Sequence, residues 1–319
     1  LSSGTAAIHL SLQILGVKKG DFVICQSLTF VGSANPILYC NAEPIFIDSE
    51  TETWNMCPLL LERAINDSLK INKKPKAIIL VHLYGMPAKI NEIKEISKKY
   101  EIPLIEDAAE ALGSNYDGIP LGTIGDFGIL SFNGNKIITT SGGGALISSS
   151  FEHSKKAKFL SSQAKENAIH YQHKEIGYNY RISNVLAAIG LGQIEQIDKK
   201  IKIRRKNFSL YKKYLNNIEE ISFLEEPLNF YSNRWITTIL VSSQNGFCKE
   251  KIIRNLRENK IESRPIWKPM HLQPLYKKYK FYNNNSSEKL FDLGLCLPSG
   301  TTLTEEQISK ISQIIISSK

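Results

Sequence analysis

The chain has 319 residues, 42% hydrophobic and 22% charged, enough for a full apolar core and slightly more than one ordinary domain. Its net charge of +9 describes a lysine-rich solvated surface that attracts anionic small substrates, and no zinc-finger spacing, basic helix or basic-aromatic stripe points to nucleic acid. Cysteines 25, 40, 57, 248 and 296 form no CxxC pair and read as free buried thiols in a reducing cytoplasm; no apolar run is long enough to span a bilayer.

The opening LSSGTAAIHLSLQILG reads like the interior of a domain and lacks the basic region and cleavage site of a signal peptide, so a further N-terminal segment is expected before it. Residues 4–16 carry helical spacing through Ala7, Leu10, Leu12 and Ile14, and a Gly-Val-Lys-Lys-Gly run ends it. A strand at 21–25, a loop and helix through Pro36, and a strand at 42–48 with Pro44 at its edge follow. Helical spacing at 56–69, a strand at 76–85, a polar helix at 88–99 and a strand at 102–107 continue the alternation. Strands at 126–132 and 143–149 complete it. Such alternation predicts a mostly parallel sheet with helices on both faces, and ligand sites beyond the carboxyl ends of its strands.

Residues 151–176 are polar. Their His153, His170 and His173 match no helical His-x-x-x-His spacing, and no metal site is expected. Residues 184–215 read as one long amphipathic helix, with room for a kink, linking two domains. The remainder reads as a smaller α+β domain: strand 234–243, helix 248–260, strand 261–267 and a closing helix at 304–318. The division falls at 1–205 and 206–319.

Several residues could carry chemistry. Asp107 ends a strand beside two alanines, where a carboxylate can hold a proton on a cofactor ring nitrogen or simply cap a helix. Lys136 sits in SFNGNKIITTSGGGA, a fixed but accessible amine or part of a polar hairpin; it precedes its glycine run, so this is no phosphate-binding Walker loop. The SGTAA opening places Gly4, Thr5 and Ala6 at a helix start, either a phosphate cradle or an ordinary cap. Ser131 at another strand end could join it. Phe30 could stack on a flat cofactor or enter the core, and Glu110, one turn past Asp107, could reach a polar edge or solvent. Asn179, Tyr180 and Arg181 precede a helix, where Arg suits phosphate recognition. Trp267, Lys268 and His271 lie between and beside prolines, a stacking ring and a cation in a stiff loop. No G-x-G-x-x-G follows the first strand, which weighs against a nucleotide-dependent oxidoreductase.

The ordered motifs TFVGSANPI, IEDAAEALGS, GDFGILSFNGNKIITTSGGG, GYNYRISNVLAAIGLGQ and RPIWKPMHLQP together resemble the DegT/DnrJ/EryC1/StrS family of pyridoxal-phosphate sugar aminotransferases over essentially the whole chain. The resemblance implies the fold-type I, aspartate-aminotransferase-like architecture: a large three-layer domain with a mostly parallel sheet and a small C-terminal α+β domain. It implies pyridoxal 5'-phosphate on Lys136 as a Schiff base, Asp107 at the ring nitrogen and Phe30 on the ring. Thr5, Ser131 and the backbone at Gly4 and Ala6 fall at the phosphate, and Glu110 beside the cofactor. Asn179 falls in the site of a neighbouring subunit, so a homodimer with shared active sites is expected. Tyr180, Arg181, Trp267, Lys268 and His271 fall near the substrate. The expected substrates are L-glutamate and a UDP- or GDP-linked keto-sugar, most like the UDP-4-keto-6-deoxy-N-acetylhexosamines of surface-glycan pathways. Members usually carry some fifty residues before SSGTAA. Lys136 argues against the family's dehydratases, which have His there.

Overall fold

The structure is a computed structural model describing residues 1–243 and 245–319. In chain order, the first half holds α1 (Gly4–Ile14), β1 (Phe22–Gln26), α2 (Val31–Tyr39), β2 (Glu43–Ile47), α3 (Pro58–Lys70), β3 (Ala77–Val81), α4 (Ile90–Lys99), β4 (Leu104–Asp107), a hairpin of β5 (Asn115–Tyr116) and β6 (Ile119–Pro120), β7 (Phe127–Ser131), β8 (Gly144–Ile147) and α5 (Phe151–Ser161). Then come α6 (Asn184–Ile194), α7 (Ile197–Leu215), β9 (Ile221–Phe223), β10 (Phe230–Tyr231), β11 (Thr237–Val241), α8 (Lys249–Glu258), β12 (Arg264–Pro265), β13 (Phe281–Tyr282), α9 (Ser286–Leu293), β14 (Gly294–Leu297) and α10 (Glu305–Ile316).

The large sheet runs β13-β2-β1-β3-β4-β7-β8 and is parallel except where β8 pairs antiparallel with β7. Strand alternation sends successive side chains to opposite faces. Phe22, Ile24, Ile78 and Leu80 pack with Leu61, Ile65, Ile90 and Ile93 of α3 and α4. Val23, Cys25, Ile79 and Ile105 pack on the other face with Ile8 and Leu12 of α1 and Ile37 of α2. This is the expected three-layer arrangement. The small domain is a four-stranded antiparallel sheet, β12-β14-β11-β9, sharing a core with α7, α8 and α10. A fourth cluster joins the two units through Tyr84, Ile137, Ile201, Trp235 and Ile266.

Three expectations change. The long helix at 184–215 is two helices broken at Glu195–Gln196. Its first part is apolar all round and buries no residue, whereas α7 has a true buried stripe. Residues beyond 206 also return to the large unit: Met270 and Tyr276 enter its core, and β13 pairs with β2. A two-residue strand carries no periodicity to read. Cys25, Cys40 and Cys57 are buried, while Cys248 and Cys296 are only partly covered. Among the described residues no helix is long and apolar enough to cross a membrane.

Candidate active site

The carboxyl ends of β4 and β7 and the starts of α1 and α2 enclose a cavity of about 320 Å³. Asp107, the last residue of β4, is buried there. Its Oδ2 accepts from Ser33 Oγ at 2.7 Å and its Oδ1 from the Ala109 N–H at 3.1 Å. Burial pushes the carboxyl up from the usual aspartate value, against those two hydrogen bonds and the positive field of Lys136. A carboxylate has about four lone-pair directions, so two remain for a cationic N–H from the cavity.

Lys136 lies on the loop after β7, its side chain only 10% exposed. Its Nζ rests 4.1 Å from the centre of the Trp235 ring and 3.9 Å from Glu110 Oε1. Trp235 is almost wholly buried, and its Nε1–H donates to the Asn135 carbonyl at 2.8 Å, tying down the residue before the lysine. Glu110 Oε2 accepts the Tyr84 N–H at 2.6 Å. Tyr84 holds a left-handed backbone, φ 54°, a conformation that costs about 1 kcal/mol for a non-glycine residue. Burial raises Glu110 to about 7, despite Lys136 and the Tyr84 N–H.

The phosphate-sized corner is built by close backbone approach. A Cβ added to Gly4 would stand 3.2 Å from Ser131 Cβ, and one added to Gly32 would stand 3.0 Å from Thr5 Oγ1. The first turns of α1 and α2 meet here, with N–H groups that have no intrahelical acceptor. Phe30, 53% exposed, stands at the mouth 5.5 Å from Trp267 rather than in the core. Phe30, Asn135, Trp235 and Trp267 also border a second cavity of about 1210 Å³, into which Lys268 faces.

Gly4, Thr5, Phe30, Asp107, Glu110, Ser131, Lys136 and Trp267 therefore come together. Others do not. Ala6 lies outside the cavity, and its N–H is spent on the Ser3 Oγ that caps α1. Tyr180 packs on Tyr178 and reaches His9 Nδ1 at 3.2 Å, away from both cavities, while Arg181 and Asn179 are exposed. His271 is clamped between Ser27 Oγ at 2.7 Å and Glu288 at 3.2 Å and stacks on Phe281, so both ring nitrogens are engaged outside the cavities. Sequence reading missed Ser33, Tyr84 and Trp235. Ser33 lay within a quoted motif, but Trp235 meets Lys136 across about a hundred residues with no local signal.

A lysine amine and a buried carboxylate at strand ends, between a large α/β unit and a small α+β unit, place the chain among the fold-type I pyridoxal-phosphate transferases. It belongs to the DegT/DnrJ/EryC1/StrS aminotransferase family, whose profile matches residues 1–316, and it is a pyridoxal-phosphate-dependent aminotransferase. EpsN of Bacillus subtilis (strain 168), whose name carries an inferred pyridoxal phosphate-dependent aminotransferase activity, is 50% identical over 99% of this chain and 82% of its own length. The GDP-perosamine synthase of Escherichia coli O157:H7 is 38% identical over 99% of this chain and 84% of its own. The PLP-form of Spr1654 from Streptococcus pneumoniae superposes with a TM-score of 0.89 at 26% identity, covering 100% of this chain and 87% of that one; the same protein is also known in a PMP-form. The cavity fits this cofactor: Asp107 has free acceptor directions for a ring N–H, and the glycine-lined corner leaves room for a phosphate where an added Cβ would crowd it.

Proposed function

We propose that the chain moves an amino group from L-glutamate to the C4 ketone of a nucleotide-linked 4-keto-6-deoxy sugar, with a UDP-4-keto-6-deoxy-N-acetylhexosamine as acceptor, for surface-glycan biosynthesis in the cytoplasm. The observation that carries this reading is the Lys136 amine in a cavity of cofactor size that shares Phe30, Asn135, Trp235 and Trp267 with a second cavity large enough for a sugar nucleotide. Lys260, Arg264, Lys268 and Lys310 border the larger one and suit an anionic ligand. Trp267 offers a face to a ring.

Pyridoxal phosphate, when bound, would supply an electron sink for the donor's α-carbon. Lys136 Nζ would hold the cofactor, and its free amine would take the donor's α-proton as general base. Asp107 would keep positive charge at the ring nitrogen, Phe30 would cover the ring, and Thr5, Ser131 and the Gly4 backbone would hold the phosphate. Trp235 gives the freed ammonium a resting face.

A second copy of the chain completes the site. Support comes from α6, whose Val185 and Leu191 are 72% and 68% exposed and which buries no residue. Exposed Asn179 lies just before it and would enter the neighbour's cavity. Leu191→Asp is expected to shift the protein from dimer to monomer in light scattering; an unchanged dimer would remove α6 from the interface.

A GDP-linked acceptor is the second reading, favoured by the 38% identity to a GDP-perosamine synthase. Incubation with L-glutamate and matched UDP- and GDP-4-keto-6-deoxy sugars, followed by mass spectrometry of the amino-sugar product, decides between them. Turnover of neither, with the cofactor bound, would overturn the acceptor class.

A further inference from the structure

We propose that Glu110 takes up a proton when the cofactor engages the Lys136 amine, and then faces the cofactor as a neutral hydrogen-bond donor. The proposal rests on the reading of Lys136 as the cofactor-holding amine.

The geometry is specific. Glu110 Oε2 is fixed by the Tyr84 N–H at 2.6 Å, and the turn behind it is locked: Asn233 donates to the Glu110 carbonyl at 2.8 Å and fills the space beside Gly85. Glu110 Oε1 faces Lys136 Nζ at 3.9 Å, beyond hydrogen-bond reach. The other titratable groups around it bring no positive charge. Asp107 on β4 adds a like charge. The Tyr84 phenol and the Cys296 thiol of β14 are both held neutral by burial. His82 is turned to Glu106 instead. Among the described residues Lys136 is therefore the one cation within 4 Å of this carboxylate.

The charge count then decides the outcome. Two buried carboxylates share one ammonium. As Nζ bonds to the cofactor's aldehyde carbon, two of the ammonium's three hydrogens would leave with the aldehyde oxygen as water, and the third would stay on nitrogen, its charge cancelled by the cofactor's phenolate oxygen. Asp107 is committed to the ring nitrogen. Glu110 has then lost its counter-charge, and an isolated buried carboxylate is costly. Its Oε1 takes up a proton from solvent, while Oε2 still accepts from Tyr84. The neutral carboxyl then has one O–H to donate into the cavity. Glutamine would supply an N–H in the same place without titrating.

The test counts protons. Calorimetric titration of cofactor into cofactor-free protein, in two buffers of different ionisation heat, gives the protons released on binding. At about pH 8, roughly one unit above the Glu110 value of about 7, Glu110→Gln is expected to release about one proton more than the unaltered chain. At about pH 6, where Glu110 already holds its proton, the difference should vanish. Infrared difference spectra of the unaltered protein at the higher pH should show a carboxylic-acid band appearing on loading. Equal proton release at both pH values, or no such band, overturns the proposal; the infrared arm decides alone should the variant not fold. Borohydride trapping with peptide mapping is run alongside. Cofactor trapped elsewhere than Lys136 overturns the underlying assignment, whereas trapping on Lys136 with no proton difference overturns only the Glu110 proposal.

Discussion

Glu106 and Glu110 lie four residues apart, both buried, yet their surroundings push them in opposite directions. Burial raises each. At Glu106 this is outweighed by the His82 Nε2–H at 3.0 Å and by backbone N–H groups of Gly122, Ile124 and Gly125, so its carboxyl ends below the usual range. At Glu110 one N–H and a lysine beyond hydrogen-bond reach do not suffice, and the carboxyl rises to about 7. The first is a structural anchor behind β4. The second keeps an unfilled oxygen toward the cavity. What distinguishes a working carboxylate from a structural one here is unspent hydrogen-bonding capacity, and not burial.

The comparison can be broken most severely at its cation. Lys136→Ala should lower turnover by about 10⁴-fold or more, measured as 2-oxoglutarate release, because both cofactor attachment and the base are lost. Retained turnover would end the assignment of Lys136. Next, at about pH 4.5, where Glu110 still holds its proton, Glu106→Gln should destabilise the fold by about 3 kcal/mol in denaturant unfolding, since a charged acceptor of several donors is replaced by a neutral amide, whereas Glu110→Gln should cost under about 1 kcal/mol. Equal losses would erase the distinction.

The two carboxylates should also leave opposite marks on stability against pH. The depressed Glu106 contributes above the unfolded carboxylate value, and its contribution is lost as pH falls through its folded value. The raised Glu110 contributes fully below the unfolded value, and its contribution is lost as pH rises through about 7. In cofactor-free protein, Glu110→Gln should therefore flatten the fall in stability between about pH 4.5 and 7, by up to about 3 kcal/mol. An unaltered slope would mean that Glu110 titrates normally. Ser33→Ala removes one donor to Asp107 and should weaken cofactor binding roughly tenfold, about 1.4 kcal/mol, as read by equilibrium dialysis. No change would show that the Ala109 N–H alone orients Asp107.

Much of this was legible in the chain itself. The strand and helix alternation predicts the mostly parallel sheet because period-two and period-3.6 patterns are local. Lys136, Asp107, Thr5 and Ser131 could be singled out because each follows or opens a predicted element, and the site lies where such ends converge. The errors have physical causes. Ala6 looked available at a helix start, but its N–H is consumed by the Ser3 cap. The family resemblance puts His271 near the substrate, but Ser27, Glu288 and Phe281 enclose it. The pattern at 184–215 leaves room for a kink, and the structure makes it a full break, whose place is hidden because an apolar first half and an amphipathic second half merge in a one-dimensional pattern.

The sequence by itself determined the kind of sheet, the order of the chemical residues along it and, through its ordered motifs, the family. Only the tertiary structure decided that Glu106 is sealed and Glu110 open, that Trp235 carries the Lys136 amine, and that β13 returns from the far end of the chain to extend the large sheet. These contacts join residues far apart in sequence, and their direction follows from packing between elements that no local pattern encodes.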